Sequence, residues 1–247
     1  MNTLIVGANR GIGLALVQNL LADEAVMQVL ATCRSGSDRQ DLLQLQRDYS
    51  GKLQLLSLDF TDQQSLAHFA ANLAALGCGI DLVIHAAGLL HAAGLEPEKS
   101  LEQCQSQHLL RLFEVNSIGP LLVAQTLLAT QQRNKPFVFA ALSAMVGSIG
   151  DNKLGGWYGY RASKAALNQF IKTLSIECRT RYPQAAIVAI HPGTTDTGLS
   201  RPFQRNIQPG KLYTPEESAA RILQVLAHVG SQDSGKFYNW DGKEICW

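Results

Sequence analysis

The arrangement of apolar runs is the strongest constraint on what this chain can fold into. Short runs at Thr3–Val6, Val26–Cys33, Leu53–Ser57, Leu82–His85, Phe137–Ser143, Ala186–His191 and Lys236–Trp240 alternate with longer helical patterns. The helical patterns cover Ile12–Leu21, Gln63–Ala75, Leu109–Thr130, Tyr158–Thr180 and Pro215–Val229. Several of the short runs are apolar almost throughout, as strands covered on both faces should be. Regular alternation of this kind predicts an α/β fold, with a parallel, doubly wound sheet of seven strands and helices on both faces. Thr214, Pro215, Glu216 and Glu217 form a capping box with proline at the first helical position. No linker, internal repeat or low-complexity tract interrupts residues 1–247, so one domain is the simplest organisation. The segment Leu199–Tyr213, LSRPFQRNIQPGKLY, stands apart, with little periodicity, two prolines and three cations. It reads as a long loop that serves as a lid over a substrate site.

Composition removes several classes of function. A net charge of +1 exerts no general pull toward nucleic acid or an acidic membrane, and no basic run or arm is present. The apolar stretch from Leu109 to Leu128 is broken by Arg111, Glu114, Asn116, Pro120 and Gln125, too often for a membrane span. The N-terminus runs directly into NTLIVGANRG, without the pattern of a signal peptide. Cys33, Cys78, Cys104, Cys178 and Cys246 are odd in number, scattered and free of any C-x-x-C, which predicts reduced thiols in a cytoplasmic protein.

The first chemical signal is GANRGIG, between the first strand and the first helix. Gly7 suits a tight turn, while Gly11 and Gly13 allow a pyrophosphate and the neighbouring strand to approach the backbone. Asn9, Arg10 and Ile12 lie in the same loop. The N–H groups and positive end of the following helix favour phosphate, so the motif predicts a dinucleotide site; a plain tight turn is the alternative. An acidic residue ending the second strand would favour NAD, but Cys33 and Arg34 stand there. Arg10 and Arg34 together suit a 2′-phosphate and point to NADP(H), unless both are merely solvated. Asp59, after the third strand, is a candidate partner for the adenine amino group or a turn-capping residue. Ala86, Ala87 and Gly88, after the fourth strand, are small enough to let a ribose or ring pass close.

The second signal lies in GGWYGYRASKAALNQF, Gly155 to Phe170. Lys164 follows Tyr160 by four residues and shares its helix face, whereas Ala162 occupies that place after Tyr158. A fixed ammonium beside a phenol favours phenolate and is expected to lower its pKa toward a useful acid–base range. By spacing alone, an ordinary helix pair fits as well. Ser143 ends the fifth strand, where ligands gather in α/β sheets, and Ser148 is a nearby decoy. Asn116 is a polar residue inside an apolar helix and needs partners, as a kink near Gly119 and Pro120 would provide.

These residues occur in one order: the glycine motif, Asp59, Ala86-Ala87-Gly88, Asn116, Ser143, Tyr160-x-x-x-Lys164 and Pro192-Gly193. In that order the chain resembles the short-chain dehydrogenases/reductases through nearly its whole length. DNKLGGWYGYRASK, HPGTTDTGLS and NWDGKEICW look most like the C-factor/Sniffer-like carbonyl reductase branch. The resemblance implies a single Rossmann-fold domain and an NADP-dependent reductase of aldehydes, ketones or quinones. It implies Tyr160 as general acid/base, Lys164 on the nicotinamide ribose, Ser143 on the reacting oxygen and Asn116 in a water-borne proton relay. It also places Pro192, Gly193, Thr195 and Thr197 against the nicotinamide half of the cofactor.

The alternative is an NADP(H)-binding signalling or developmental protein of C-factor type with little or no turnover. A sugar-nucleotide epimerase is disfavoured, because no room remains for a separate substrate domain. The chain departs from the family pattern at His85, in H-A-A-G, and at Val6 before the glycine motif. His85, His91 and His191 offer no metal-ligand arrangement, and the implied chemistry requires no metal. Partners are then a small carbonyl substrate and, through the long helices at Leu109–Thr130 and Tyr158–Thr180, further copies of the chain in a dimer or tetramer; neither nucleic acid nor membrane is expected.

Overall fold

A computed structural model describes residues 1–77 and 79–247, so Cys78 lies outside the described residues. The strands are β1 (Asn2–Val6), β2 (Gln28–Cys33), β3 (Leu53–Ser57), β4 (Leu82–His85), β5 (Phe137–Leu142), β6 (Ala185–His191), β7 (Thr194–Thr195), β8 (Leu212–Tyr213) and β9 (Phe237–Asn239). The helices are α1 (Gly11–Ala22), α2 (Gln40–Asp48), α3 (Gln63–Ala75), α4 (Ser106–Phe113), α5 (Gly119–Leu128), α6 (Tyr158–Arg181) and α7 (Pro215–Leu226).

Seven strands form one sheet in the order β3-β2-β1-β4-β5-β6-β9. Every pairing is parallel, with Val6 opposite Thr32 on one side and His85 on the other. The apolar runs are near-continuous because both sheet faces are covered. Leu4, Leu30, Val83, Phe139 and Ile187 pack with Phe69 of α3, Val123 of α5 and Leu167 of α6. Their strand neighbours Ile5, Ala31, Ile84, Ala140 and Val188 pack on the opposite face with Leu16 of α1, Leu42 of α2 and Ile222 of α7. Successive strand residues point to opposite faces, so each apolar run feeds two cores at once.

The chain moves outward from β1 to β3, then crosses back to β4. The order therefore reverses between β1 and β4, which opens a crevice at their carboxyl ends. The loops at Gly7 and Ala87 face one another there; a Cβ on Gly7 would lie 2.7 Å from the Ala87 nitrogen.

Two expectations need correction. The helical pattern Leu109–Thr130 is not one α-helix. It is α4, a π-helical turn at Glu114–Ile118 and then α5, with Pro120 in the first turn of α5. Periodicity cannot show an extra residue that widens a single turn. The segment Leu199–Tyr213 is also more ordered than a plain loop. It contains a 3₁₀ helix at Arg201–Asn206 and strand β8, which pairs with β7. Among the described residues, no helix is long and apolar enough to cross a membrane.

The capping box at α7 forms as its residues require. The Thr214 hydroxyl accepts from the Glu217 N–H at 3.1 Å, and the Glu217 carboxylate accepts from the Thr214 N–H at 2.9 Å. Thr214→Ala is expected to lower stability by about 1 kcal/mol. Urea unfolding should show an earlier midpoint with an unchanged slope.

Candidate active site

The crevice opens into a cleft of about 1050 Å³ along the carboxyl edge of the sheet. At one end lies the glycine loop. Gly7 and Gly11 take φ of +81° and +55°, a region that penalises side chains. Gly13 has a different reason: a Cβ there would lie 2.1 Å from the Gly7 carbonyl oxygen. No side chain caps the first turn of α1, so its backbone N–H groups remain for an anion. Asn9 donates to the Asp38 carbonyl at 3.0 Å and ties this loop to the segment after β2. Asn9, Arg10, Gly11, Ile12, Gly13, Arg34, Asp59, Ala86, Ala87 and Gly88 all border the cleft.

At the other end, α6 brings Tyr160 and Lys164 against the end of β5. Both are buried, and the ammonium stands 6.0 Å from the phenol ring centroid. Lys164 Nζ donates to the Leu142 carbonyl at 2.8 Å. Ser143 borders the same cleft and donates its hydroxyl to Asn168 Oδ1 at 2.6 Å. Asn168 in turn donates to the Gly147 carbonyl at 3.3 Å. Gly147 must be small, because a Cβ would lie 2.9 Å from Lys164 Cβ.

Ser148 points elsewhere, donating to the Cys246 carbonyl at 2.8 Å and so holding the C-terminal segment. Trp157 borders the cleft, while Tyr158 is exposed. Among the described residues, Trp157 is the one non-glycine with positive φ, +52°. Its ring packs edge-on against Tyr160 at 6.1 Å and against Phe203 at 5.0 Å.

Asn116 sits behind this wall, in the π-helical turn. Its side-chain oxygen accepts from the Leu89 N–H at 2.7 Å, and its nitrogen donates to the Leu89 carbonyl at 2.7 Å and to Ser163 at 3.0 Å. Ser163 donates onward to the Tyr160 carbonyl at 2.9 Å. Both N–H groups of the amide are thus used in clipping the segment after β4 to α6.

Pro192, Gly193, Thr195 and Thr197 line the far wall. The Thr195 hydroxyl shares a 2.7 Å bond with Ser218 of α7 rather than standing free. A Cβ on Gly11 would meet the Thr197 methyl at 3.0 Å, so this loop reaches across the glycine turn. Of the segment Leu199–Tyr213, Leu199, Arg201, Phe203 and Ile207 border the cleft, whereas Arg205 and Lys211 do not. His91 ties the start of that segment down by donating to the Gly198 carbonyl at 3.0 Å.

Residues 1–208 match the family model of short chain dehydrogenases. The chain belongs to the short-chain dehydrogenase family. It is 30% identical to 1-hydroxy-2-glutathionyl-2-methyl-3-butene dehydrogenase of Rhodococcus sp. (strain AD45), over 99% of this chain and 98% of that one. The solved NADPH-bound carbonyl reductase from chicken fatty liver superposes with a TM-score of 0.86 at 30% identity, covering 100% of this chain and 94% of that one. Carbonyl reductase Sniffer of D. melanogaster gives a TM-score of 0.86 at 26% identity, covering 100% and 99%. These relatives bear out the branch read from the sequence.

The electrostatics of this short-chain dehydrogenase overturn one expectation. Burial pushes the Tyr160 phenol above its ordinary range, not below it. Desolvation is what acts on the phenol, and burial also pulls Lys164 down, to about 8. Asp59 is held below the usual carboxylate range: burial opposes its charge, but hydrogen bonds from the Thr61 hydroxyl and N–H, with Arg34 and Arg111 nearby, outweigh it. Those Thr61 bonds, at 2.7 and 3.0 Å to Asp59 Oδ1, realise the turn-capping alternative while Asp59 still borders the cleft. Arg111 and Asn168 did not emerge from sequence reasoning. Asn168 follows Lys164 by four residues, and that spacing was the available signal. Among the described residues no cluster of three metal-ligating side chains occurs.

His85 and His191 are held neutral. Burial, with the Lys164 charge, takes His85 to about 3, and burial takes His191 to about 4. An unfolded chain binds protons at these positions below about 6.5 while the folded one does not. Stability is therefore expected to fall as pH drops from about 6.5 toward 4. His85→Gln should flatten part of that slope in urea titrations at pH 7 and pH 5.

Proposed function

We propose that this short-chain dehydrogenase is an NADPH-dependent carbonyl reductase acting on aldehydes, ketones or quinones. The observation that carries the reading is that Ser143, Tyr160 and the buried Lys164 all border the same cleft as the glycine loop. The residues present fit the cofactor. Gly7, Gly11 and Gly13 keep the loop tight, since a Cβ on each would press on Ala87, Thr197 or the Gly7 carbonyl, and the uncapped start of α1 offers donors for the pyrophosphate. Arg10 and Arg34 border the cleft, no acid ends β2, and neither arginine has an ion-pair partner among the described residues. This arrangement suits a 2′-phosphate. The NADPH-bound carbonyl reductase supports the same choice.

When bound, the cofactor supplies the hydride. The chain supplies position and protons. Burial keeps Tyr160 protonated, which is the state needed to donate to a carbonyl oxygen. Ser143 turns its proton from Asn168 toward the same oxygen. Lys164 keeps its charge below about pH 8 and stabilises the tyrosinate left behind. Asn116, which also holds the segment at Leu89 in place, supports reprotonation through water. Residues 199–213 act as the substrate lid, with Phe203 against Trp157. The reading includes a cytoplasmic location, supported by free thiols at Cys33, Cys104, Cys178 and Cys246. It also includes self-association through α4 and α6, supported by the exposed Leu110 and Ile176.

Purified protein should consume NADPH with at least one member of a panel of aldehydes, ketones and quinones. Tyr160→Phe should bind NADPH normally, by cofactor fluorescence, and lose about 100-fold or more in kcat. Equal turnover in the two proteins would remove Tyr160 as the acid. Tight NADPH binding without turnover across the panel would restore the signalling reading. Arg34→Asp is expected to weaken NADPH binding about tenfold or more and leave NADH binding nearly unchanged. Equal weakening of both cofactors would exclude a 2′-phosphate contact.

A further inference from the structure

A cation stands among aromatic rings behind the loop that follows β6. The Arg221 guanidinium, on α7, lies 4.0 Å from the Tyr213 ring centroid and 4.4 Å from that of Trp240. The two rings are 5.2 Å apart and inclined at 57°, so they form an open wedge with the cation against both faces. Arg221 has no ion-pair partner among the described residues, and its Nη1 is buried without a hydrogen bond. A guanidinium this poorly served by hydrogen bonds depends on the ring faces for its stabilisation.

The wedge presses directly on the cleft wall. Gly193 takes φ of +79°, and a Cβ there would meet Tyr213 at 2.9 Å and Trp240 at 3.0 Å. Tyr213 also belongs to β8, which pairs with β7, and its carbonyl accepts from the Asp196 N–H at 2.8 Å. The Thr195–Ser218 bond makes a second tie from this loop to α7. Arg221 therefore joins three parts of the chain: α7, the end of the lid segment and the residue just after β9. All three converge on residues 193–196.

We infer that Arg221 is a positioning residue for the nicotinamide half of the cofactor. It acts through Tyr213 and Trp240 by holding the Gly193–Asp196 loop against that half of the cleft. The inference rests on the cofactor reading given above. It assigns to α7 and the C-terminal strand a part in cofactor binding that none of the cleft-lining residues reveals, since Arg221 itself does not border the cleft.

The test compares two probes in wild type, Arg221→Met and Arg221→Lys. NADPH reports on both halves of the site, whereas adenosine 2′,5′-bisphosphate reports on the adenosine half alone. Arg221→Met is expected to raise the Kd for NADPH about tenfold, the scale of one desolvated cation–π contact. The Kd for the bisphosphate should stay within about twofold, and Arg221→Lys should recover part of the loss. Thermal melts without ligand identify any general loss of stability. Should Arg221→Met not fold, Trp240→Leu, which removes one face of the wedge, takes its place with the same expected split. Unchanged NADPH affinity, or equal weakening of both probes, would overturn the assignment. Failure of the wild type to bind NADPH would instead overturn the cofactor reading, and this assignment with it.

Discussion

The hydrogen bond from the Lys164 ammonium to the Leu142 carbonyl is the interaction on which the site depends. A buried ammonium is costly unless it is well partnered, and this one has the last carbonyl of β5 as its partner. That bond sets the depth and rotation of α6 against the sheet. Tyr160, Lys164 and Asn168 recur every four residues, so fixing one presents all three to the end of β5. Asn168 then accepts the Ser143 hydrogen bond, and Gly147 remains a glycine because the lysine is already there. The resting site is consequently neutral in its phenol and still cationic in its amine at neutral pH. Such a polarity suits proton donation more than proton removal.

Around that contact, the fold divides the cleft into walls of different origin. The glycine loop and Ala86–Gly88 follow paired strands whose connections part at the switch point, and their approach depends on small residues. The opposite wall, Pro192–Thr197, is held from behind by β8, α7 and the turn after β9. One wall owes its shape to the absence of side chains, the other to large ones packed outside it. This division explains why aromatic residues near the C-terminus matter to a cleft opened by glycines at the N-terminus.

What could be read from the sequence follows the same physical division. Each strand of the sheet is signalled locally, because burial on both faces leaves an apolar run. The glycine loop and the four-residue step from Tyr160 to Lys164 are local as well. Ser143 is told from Ser148 locally too, by its place at the strand end, but the C-terminal carbonyl 98 residues away that holds Ser148 is not. The pairing of β7 with β8 and the wedge around Arg221 join distant segments in the same manner. The direction of the Tyr160 shift was misread for a related reason. Spacing shows that an ammonium is near, but only the folded packing shows that desolvation dominates. Asp59 was legible as two alternatives, and its bonds to Thr61 fulfil the local one without removing it from the cleft.

The π-helical turn at Glu114–Ile118 bears on how this segment can change over evolutionary time. One residue more than an α-helical turn is accommodated there, and Asn116 lies at its centre. Each residue of an α-helix advances the rotation by about 100°. The wide turn absorbs that step, so loss of a single codon here would restore regular winding and leave α4 and α5 in their present relation. What would be lost is the widened turn that aims Asn116 at Leu89 and Ser163, although every remaining residue would be of a helix-compatible type. Here chain length is under tighter constraint than residue identity. Exposed Ile118 can exchange for many side chains, whereas an insertion or deletion beside it disturbs the turn that presents Asn116.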